Sequence, residues 1–190
     1  MGRPPRHDLD QLLDAAAKLA AESGPHAVTM SAVARAVGAP SGSVYHRFAD
    51  RPALLAALWL RTVRRFQEGV HAALAHDSPR RAAVEAAKQV VAWSRKNPEQ
   101  ARVLLYGARD FGSQDWTAMA HEELRNANAE VERGVRALAE RLALPVAKVM
   151  LVVVDLPYAV VRRQLVSGKR VPPSAVDLVV DAAGALLDAP

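Results

Sequence analysis

An all-α protein is what this chain predicts, on three observations. Apolar residues recur at the 3.6-residue period through nearly every segment, no segment sustains strand-like alternation, and alanine and leucine are abundant while only 10 of 190 residues are glycine. Leu9, Leu12, Leu13, Ala16 and Ala20 line one face of a first helix that Gly24-Pro25 stops. Thr29, a residue type that caps free amides, opens a short second helix with Met30, Val33, Ala34 and Val37 inward, and Gly38 ends it. A third short helix is expected over Ser41–Phe48, burying Val44 and Phe48. Asp50-Arg51-Pro52 starts a fourth, over 52–75, whose inner face carries Leu54, Leu55, Leu58, Trp59, Thr62, Phe66 and Val70. Ser78-Pro79, Asn97-Pro98, Gly112-Ser113, Leu144-Pro145 and Pro172-Pro173 then punctuate helices expected at 79–96, 98–111, 114–143, 145–167 and 173–188. The count is about nine, three short helices followed by longer ones.

Composition narrows the function. There is no cysteine, which excludes disulfides and thiolate chemistry. The six histidines include no pair at i,i+4, and no Gly-rich phosphate loop occurs, so neither a metal site, a cofactor site nor a small helical enzyme is expected. The N-terminal MGRPPRHDLDQLLDAAAK has no apolar core, and the longest apolar run, Val149–Leu156, is interrupted by Asp155. A cytoplasmic protein without a membrane partner is therefore expected. The net charge of +5 is spread along the chain, and residues 1–60 hold six basic groups against five acidic ones. Bulk charge hints at anionic partners without placing them.

Pattern places them in TMSAVARAVGAPSGSVYHRFADRPALL, Thr29–Leu55. Ala34 is small where two helices would cross, Gly38 follows four residues later, and Val44 anchors the next helix six residues after that. These offsets let two short helices pack at a steep angle with the second exposed, the arrangement of a helix-turn-helix.

The string GAPSGSVYHRFADRPALL resembles the signature of the TetR family of bacterial regulators, in which Gly, Tyr, Phe and a basic residue fall in this register. The likeness covers the first four helices, a quarter to a third of the chain. It implies a DNA-binding domain at 1–51 and a ligand-binding and dimerisation domain at 52–190. It also implies that Ser41–Phe48 enters the major groove, with Ser41, Gly42, Ser43, Tyr45, His46 and Arg47 as its DNA face. Arg51 stands where the family keeps a lysine that contacts phosphate, and Thr29 and Ser31 lie at an amide-rich helix start suited to phosphate. Arg3 and Arg6 are candidates for a DNA-contacting arm. Two departures stand out: Pro40 replaces the usual serine cap, so Ser41 is a candidate cap, and Arg47 replaces a frequent histidine.

By the same resemblance, the later helices enclose an effector pocket. Trp59, Phe66, Trp93, Leu104, Phe111, Trp116, Met119, Asp155 and Tyr158 are its candidate lining. Asp155 within LVVVDLPYAVV needs either a partner or a cationic or hydroxylated ligand, and Pro157 predicts a kink. Val153, Val160 and Val161, with Val176, Val179, Val180, Ala183 and Leu187 of the last helix, form the apolar stripes expected at a two-fold, four-helix dimer interface. The expected partners are a palindromic double-stranded operator, a second copy of the chain and a small-molecule effector that releases the DNA. An effectorless activator or architectural dimer is the alternative.

Overall fold

The structure is a computed structural model and describes residues Leu9–Ala189, apart from the side chain of Ser41. Its helices are α1 (Leu9–Ser23), α2 (Met30–Ala36), α3 (Ser41–Tyr45), α4 (Arg51–Leu74), α5 (Pro79–Lys96), α6 (Pro98–Val103), α7 (Ala118–Leu142), α8 (Val146–Met150), α9 (Leu156–Val166) and α10 (Ser174–Asp188). Short 3-10 turns occupy Pro25–Ala27 and Ser113–Asp115, and a π-helical turn, Leu151–Asp155, joins α8 directly to α9. No strand occurs among the described residues, and no single helix there is long and apolar enough to cross a membrane.

Two expected helices come out differently, each for a local reason. The helix expected over 98–111 stops at Val103, where Leu105 and Tyr106 donate back only three residues, to Arg102 and Val103. The backbone amide of Gly107 then bonds the Asp110 carboxylate at 2.7 Å, and Gly112 adopts a left-handed φ of 68°. Thr117 restarts the helix by accepting from Ala120 N at 3.2 Å. The kink expected at Pro157 is instead the π turn. Proline donates no hydrogen bond and its ring crowds the carbonyl four residues back, so the preceding turn widens while the helix continues.

The described chain forms two compact units, one up to Thr62 with Arg102–Leu124, the other of Val63–Ala101 with the segment from Arg125 onward. The long helices α4 and α7 each contribute to both. In the first unit the core is Leu12, Leu13, Ala16 and Ala20 of α1, Val33 and Ala34 of α2, Val44 of α3, and Leu54, Leu55 and Leu58 of α4, all within 2% of complete burial. Each large aliphatic among them contributes roughly 1.5–3 kcal/mol. Arg61, itself buried, ties α4 to α1 by bonding the Asp10 and Asp14 carboxylates at 2.8 Å each.

In the second unit, α5 is the central helix. It presents Ala82, Ala83, Ala86, Ala87, Val90 and Val91 and packs against α10, α9 and the π turn. Small side chains on α5 permit this close approach, and it fixes which faces of the last helices remain outside.

Candidate nucleic-acid interface

The helix-turn-helix is built by three local devices. Thr29 caps α2, its Oγ1 accepting from Ala32 N at 3.1 Å and sharing a 3.3 Å hydrogen bond with Ser31 Oγ. At the other end Gly38 sits at φ 67°, with Gly38 N donating to Arg35 O and Ala39 N to Ala34 O, the paired bonds of a Schellman stop. That stop needs a left-handed residue, which favours glycine there, and the chain reverses within three residues.

Pro40 occupies the N-cap position of α3 and supplies no side-chain cap, so Ser41 is the first helical residue rather than the cap expected of it. Regular α-helix ends at Tyr45, but His46 N to Gly42 O and Phe48 N to Val44 O carry the turn onward to Phe48. Val44 is fully buried and Phe48 nearly so, which locks the rotation of this segment. Tyr45 is 58% exposed, with Gly42, His46 and Arg47 exposed and Ser43 half-buried beside them. On α2, Ser31 is exposed and Thr29 half-buried. The structure therefore gathers Thr29, Ser31, Gly42, Ser43, Tyr45, His46 and Arg47 in one helix-turn-helix. Arg3 and Arg6, like the Ser41 side chain, lie outside the described residues.

Arg51, expected at a phosphate, has a structural role within the chain. Its Nε donates to Val28 O at 2.7 Å and its Nη2 to Pro25 O at 2.9 Å, so the guanidinium closes the 3-10 turn before α2 onto the start of α4. Pro25 O also accepts from Val28 N within that turn, and one half-buried guanidinium fork joins both carbonyls. The first turn of α4 is capped separately, Ala53 N donating to Asp50 Oδ1 at 2.8 Å.

Residues 12–58 match the family described as "Bacterial regulatory proteins, tetR family". The match covers the helix-turn-helix segment, which is similar to the DNA-binding part of that family. The matched segment spans most of α1, all of α2 and α3, and the start of α4. No curated protein matches the chain in sequence. Solved structures with the same fold include the fatty acid degradation regulator FadR from Bacillus halodurans, at 18% identity and TM-score 0.74, spanning 96% of this chain and 100% of that one. A transcriptional regulator from Rhodococcus sp. Rha1 superposes with TM-score 0.73 at 19% identity, over 97% and 96% of the two chains. FadR from Bacillus subtilis, solved with stearoyl-CoA, gives 0.73 at 14% identity over 95% and 98%.

The nine candidate pocket residues take several positions. Within the first unit Trp59, Phe111 and Trp116 are buried, with the Trp59 and Phe111 rings 5.2 Å apart and Trp116 Nε1 donating to Phe111 O at 3.0 Å; Leu104 is half-buried. Within the second, Phe66 meets the buried Trp93 edge-on at 5.2 Å. Met119, Asp155 and Tyr158 depart from expectation, because all three are exposed, Met119 at 77%. Asp155 needs neither a partner nor a ligand, since it lies on the solvent side of the π turn.

The dimer stripe also needs correcting. Val153, Val161, Val179, Ala183 and Leu187 are buried inside the chain's own fold, and Val160, Val176 and Val180 are half-buried. Packing of α9, α10 and the π turn on α5 turns that stripe inward. The outer face carries Leu151, Tyr158, Val166 and Leu178 instead, each more than two-fifths exposed.

Two features were missed from sequence. One is the buried Arg61, detectable as a lone cation in LLAALWLRTV opposite aspartates spaced i,i+4 on α1. The other is a groove of about 480 Å³ lined by Arg65, Glu68, Gln89, Ala92, Trp93, Lys96, Asn97 and Gln100, of which only Trp93 was anticipated. Among the described residues no cluster of His, Asp and Glu is arranged to hold a metal ion.

Proposed function

We propose that the chain acts as a homodimeric repressor that holds a palindromic operator and is released from it by a small-molecule effector. The observation that carries the DNA half is the rotation of α3: burial of Val44 and Phe48 leaves Tyr45, His46 and Arg47 on the outer side, where hydroxyl, imidazole and guanidinium can meet base edges and phosphates. Thr29 and Ser31 at the start of α2 supply further phosphate contacts. Residues 1–51 form the DNA-binding part and 52–190 the part that dimerises and senses the effector.

Dimerisation is assigned to the outer face of α8, α9 and α10. Leu151, Asp155, Tyr158, Arg162 and Val166 follow one another at three- and four-residue steps and are all exposed, as is Leu178 on α10. A two-fold axis between such faces gives the self-complementary contact that a palindrome requires. The effector acts only through its difference in affinity between the DNA-bound and released states. Stearoyl-CoA, seen in the Bacillus subtilis FadR structure, is a reasonable member of any effector screen.

The test uses the intergenic DNA upstream of the chain's own gene. Substituting Tyr45→Ala and Arg47→Ala together is expected to weaken binding by about a hundredfold, the loss of roughly two charge-assisted or base-edge contacts. Dimer mass and melting temperature should not change. Retention of that DNA by the double variant at unchanged affinity refutes the groove assignment.

A further inference from the structure

The groove on the second unit is polar in an unusual way. Its walls come from the middle of α4 (Arg65, Glu68), the C-terminal half of α5 (Gln89, Ala92, Trp93, Lys96), its C-cap Asn97, and Gln100 of α6. Gln100 Oε1 is buried with no hydrogen-bond partner, which leaves a strong acceptor facing a donor requirement that no residue meets. Gly69 contributes by absence: a Cβ there would collide with the Gln89 amide, so glycine lets that amide lie flat on α4 and keeps the groove open. Asn97 is held in place by donating from Nδ2 to Trp93 O at 3.0 Å, which leaves its Oδ1 as a second acceptor. Trp93, propped edge-on by Phe66, supplies the flat apolar wall.

Charge sorts the remaining groups. Arg65 is already engaged within the chain, whereas Lys96 stands exposed in the last turn of α5. Glu68 lines the same groove and repels any ligand carrying a second anion near it. A volume of about 480 Å³ is in the range of small-molecule sites.

We propose that this groove is the effector site, and that it selects a small molecule joining one carboxylate or phosphate to a flat apolar body and an O–H or N–H donor. Lys96 holds the anion, Trp93 covers the body, and Gln100 Oε1 takes the donor. The assignment rests on the effector-controlled reading above and shares only Trp93 with the mainly aromatic lining expected from sequence.

The experiment titrates the full-length protein by calorimetry with four probes. These are para-hydroxyphenylacetate, phenylacetate, which lacks the donor, para-cresol, which lacks the anion, and myristate, which has a long apolar tail. The first is expected to bind at least about tenfold more tightly than the next two, the worth of one hydrogen bond to a group otherwise left unsatisfied. Lys96→Met should erase its advantage over para-cresol. Gln100→Leu should erase its advantage over phenylacetate, and Gln100→Glu, which keeps an acceptor, should retain preference for the hydroxyl while weakening all the anions. Melting temperatures of the variants report whether the fold is intact.

Equal affinity for the first three probes overturns the proposal, as do preferences that survive Lys96→Met and Gln100→Leu, tightest binding of myristate, or no binding at millimolar probe. Operator release is read separately. If para-hydroxyphenylacetate binds with the expected variant pattern yet leaves the operator bound, the site stands and effector control through it fails. If myristate or stearoyl-CoA frees the operator equally in wild type and both variants, effector control stands and this site assignment falls.

Discussion

The segment 29–48 and the helices from 146 to 188 are both rich in small and branched apolar residues, yet one discloses its role in sequence and the other does not. In the helix-turn-helix each inward residue has its partner within a few turns of chain. Ala34 of α2 and Val44 of α3 are both buried on helices that pack together across a stop set by Gly38, and what is not inward is left outside. In the last helices, Val153, Val161 and Val179 are equally apolar, but the partner that covers them, α5, lies many residues away. A valine stripe reports that something packs on it and is silent about whether that is the same chain or another. Local packing is therefore readable as function, and long-range packing only as burial.

The sharpest way to break this comparison uses two neighbouring residues on α10. Val179 is fully buried and Leu178 is 54% exposed. Val179→Asp puts an unpaired carboxylate against α5 and should destabilise the fold by about 4 kcal/mol, read from denaturant unfolding. Leu178→Asp should leave the monomer's stability within about 0.5 kcal/mol while shifting sedimentation toward monomer at micromolar concentration. If instead Val179→Asp yields a folded monomer, the inward assignment of the stripe is wrong and the interface expected from sequence returns.

Arg61 is the next largest lever, and it belongs to the readable unit. Its side chain is 8% exposed, while those of Asp10 and Asp14 are 57% exposed. Removing the two charges by Asp10→Asn and Asp14→Asn leaves a buried cation without its counter-charges, a loss of about 3 kcal/mol by thermal or denaturant melting. Arg61→Met removes the buried charge itself and leaves carboxylates that water can reach, so it should cost clearly less. A reversed order would mean that Arg61 acts through packing rather than charge.

Two glycines in the helix-turn-helix separate fold from function on a smaller scale. A Cβ at Gly38 would meet nothing within 4 Å, so Gly38→Ala costs only the positive φ, about 1 kcal/mol in melting. Gly42 also has open space around it and lies within α3. There Gly42→Ala should stabilise by about 0.5 kcal/mol while weakening operator binding, because the added methyl projects toward the groove. Equal loss of stability at both positions would contradict the backbone roles given to them.

These cases also locate the limits of sequence reading. The three devices Thr29, Gly38 and Val44 were each identifiable because capping, left-handed stops and branched anchors have short-range signatures. Arg51 carries a backbone role that was not legible, because a guanidinium suits a phosphate and a backbone carbonyl equally, and only the structure shows the 2.7 Å bond to Val28 O. Asp155 was misread because hydropathy along the chain does not record which side of a helix a residue occupies when the residues next to it, Val153, Val154, Leu156 and Pro157, are all apolar. The groove went unseen because its chemistry is assembled from i,i+3 and i,i+4 polar residues on three helices, each of which alone reads as a solvated face.

The smallest expected effect tests the long-range half of the comparison without touching its core. Arg80 at the start of α5 donates from Nε and Nη2 to Asp188 at 3.1 and 2.7 Å, and Lys148 bonds the carbonyl of Ala189, so the end of α10 is tied to α5 and α8. The hydrogen bonds from Arg80, with smaller help from its charge and that of Lys148, hold the Asp188 carboxyl below its ordinary value of 3.8. The same bond raises Arg80 further above its already high value. A carboxylate with a depressed folded value contributes stability that is present above its unfolded value and disappears as pH falls through the folded one. Wild type should therefore melt slightly above Asp188→Asn at neutral pH, and the two should converge in acid below the usual carboxylate range. Because both side chains are more than half exposed, the difference should also shrink in high salt. A gap that persists unchanged through acid and salt would show that the C-terminal turn is held by packing on α5, and that in this unit even the visible ion pair is incidental to what the apolar stripe has already fixed.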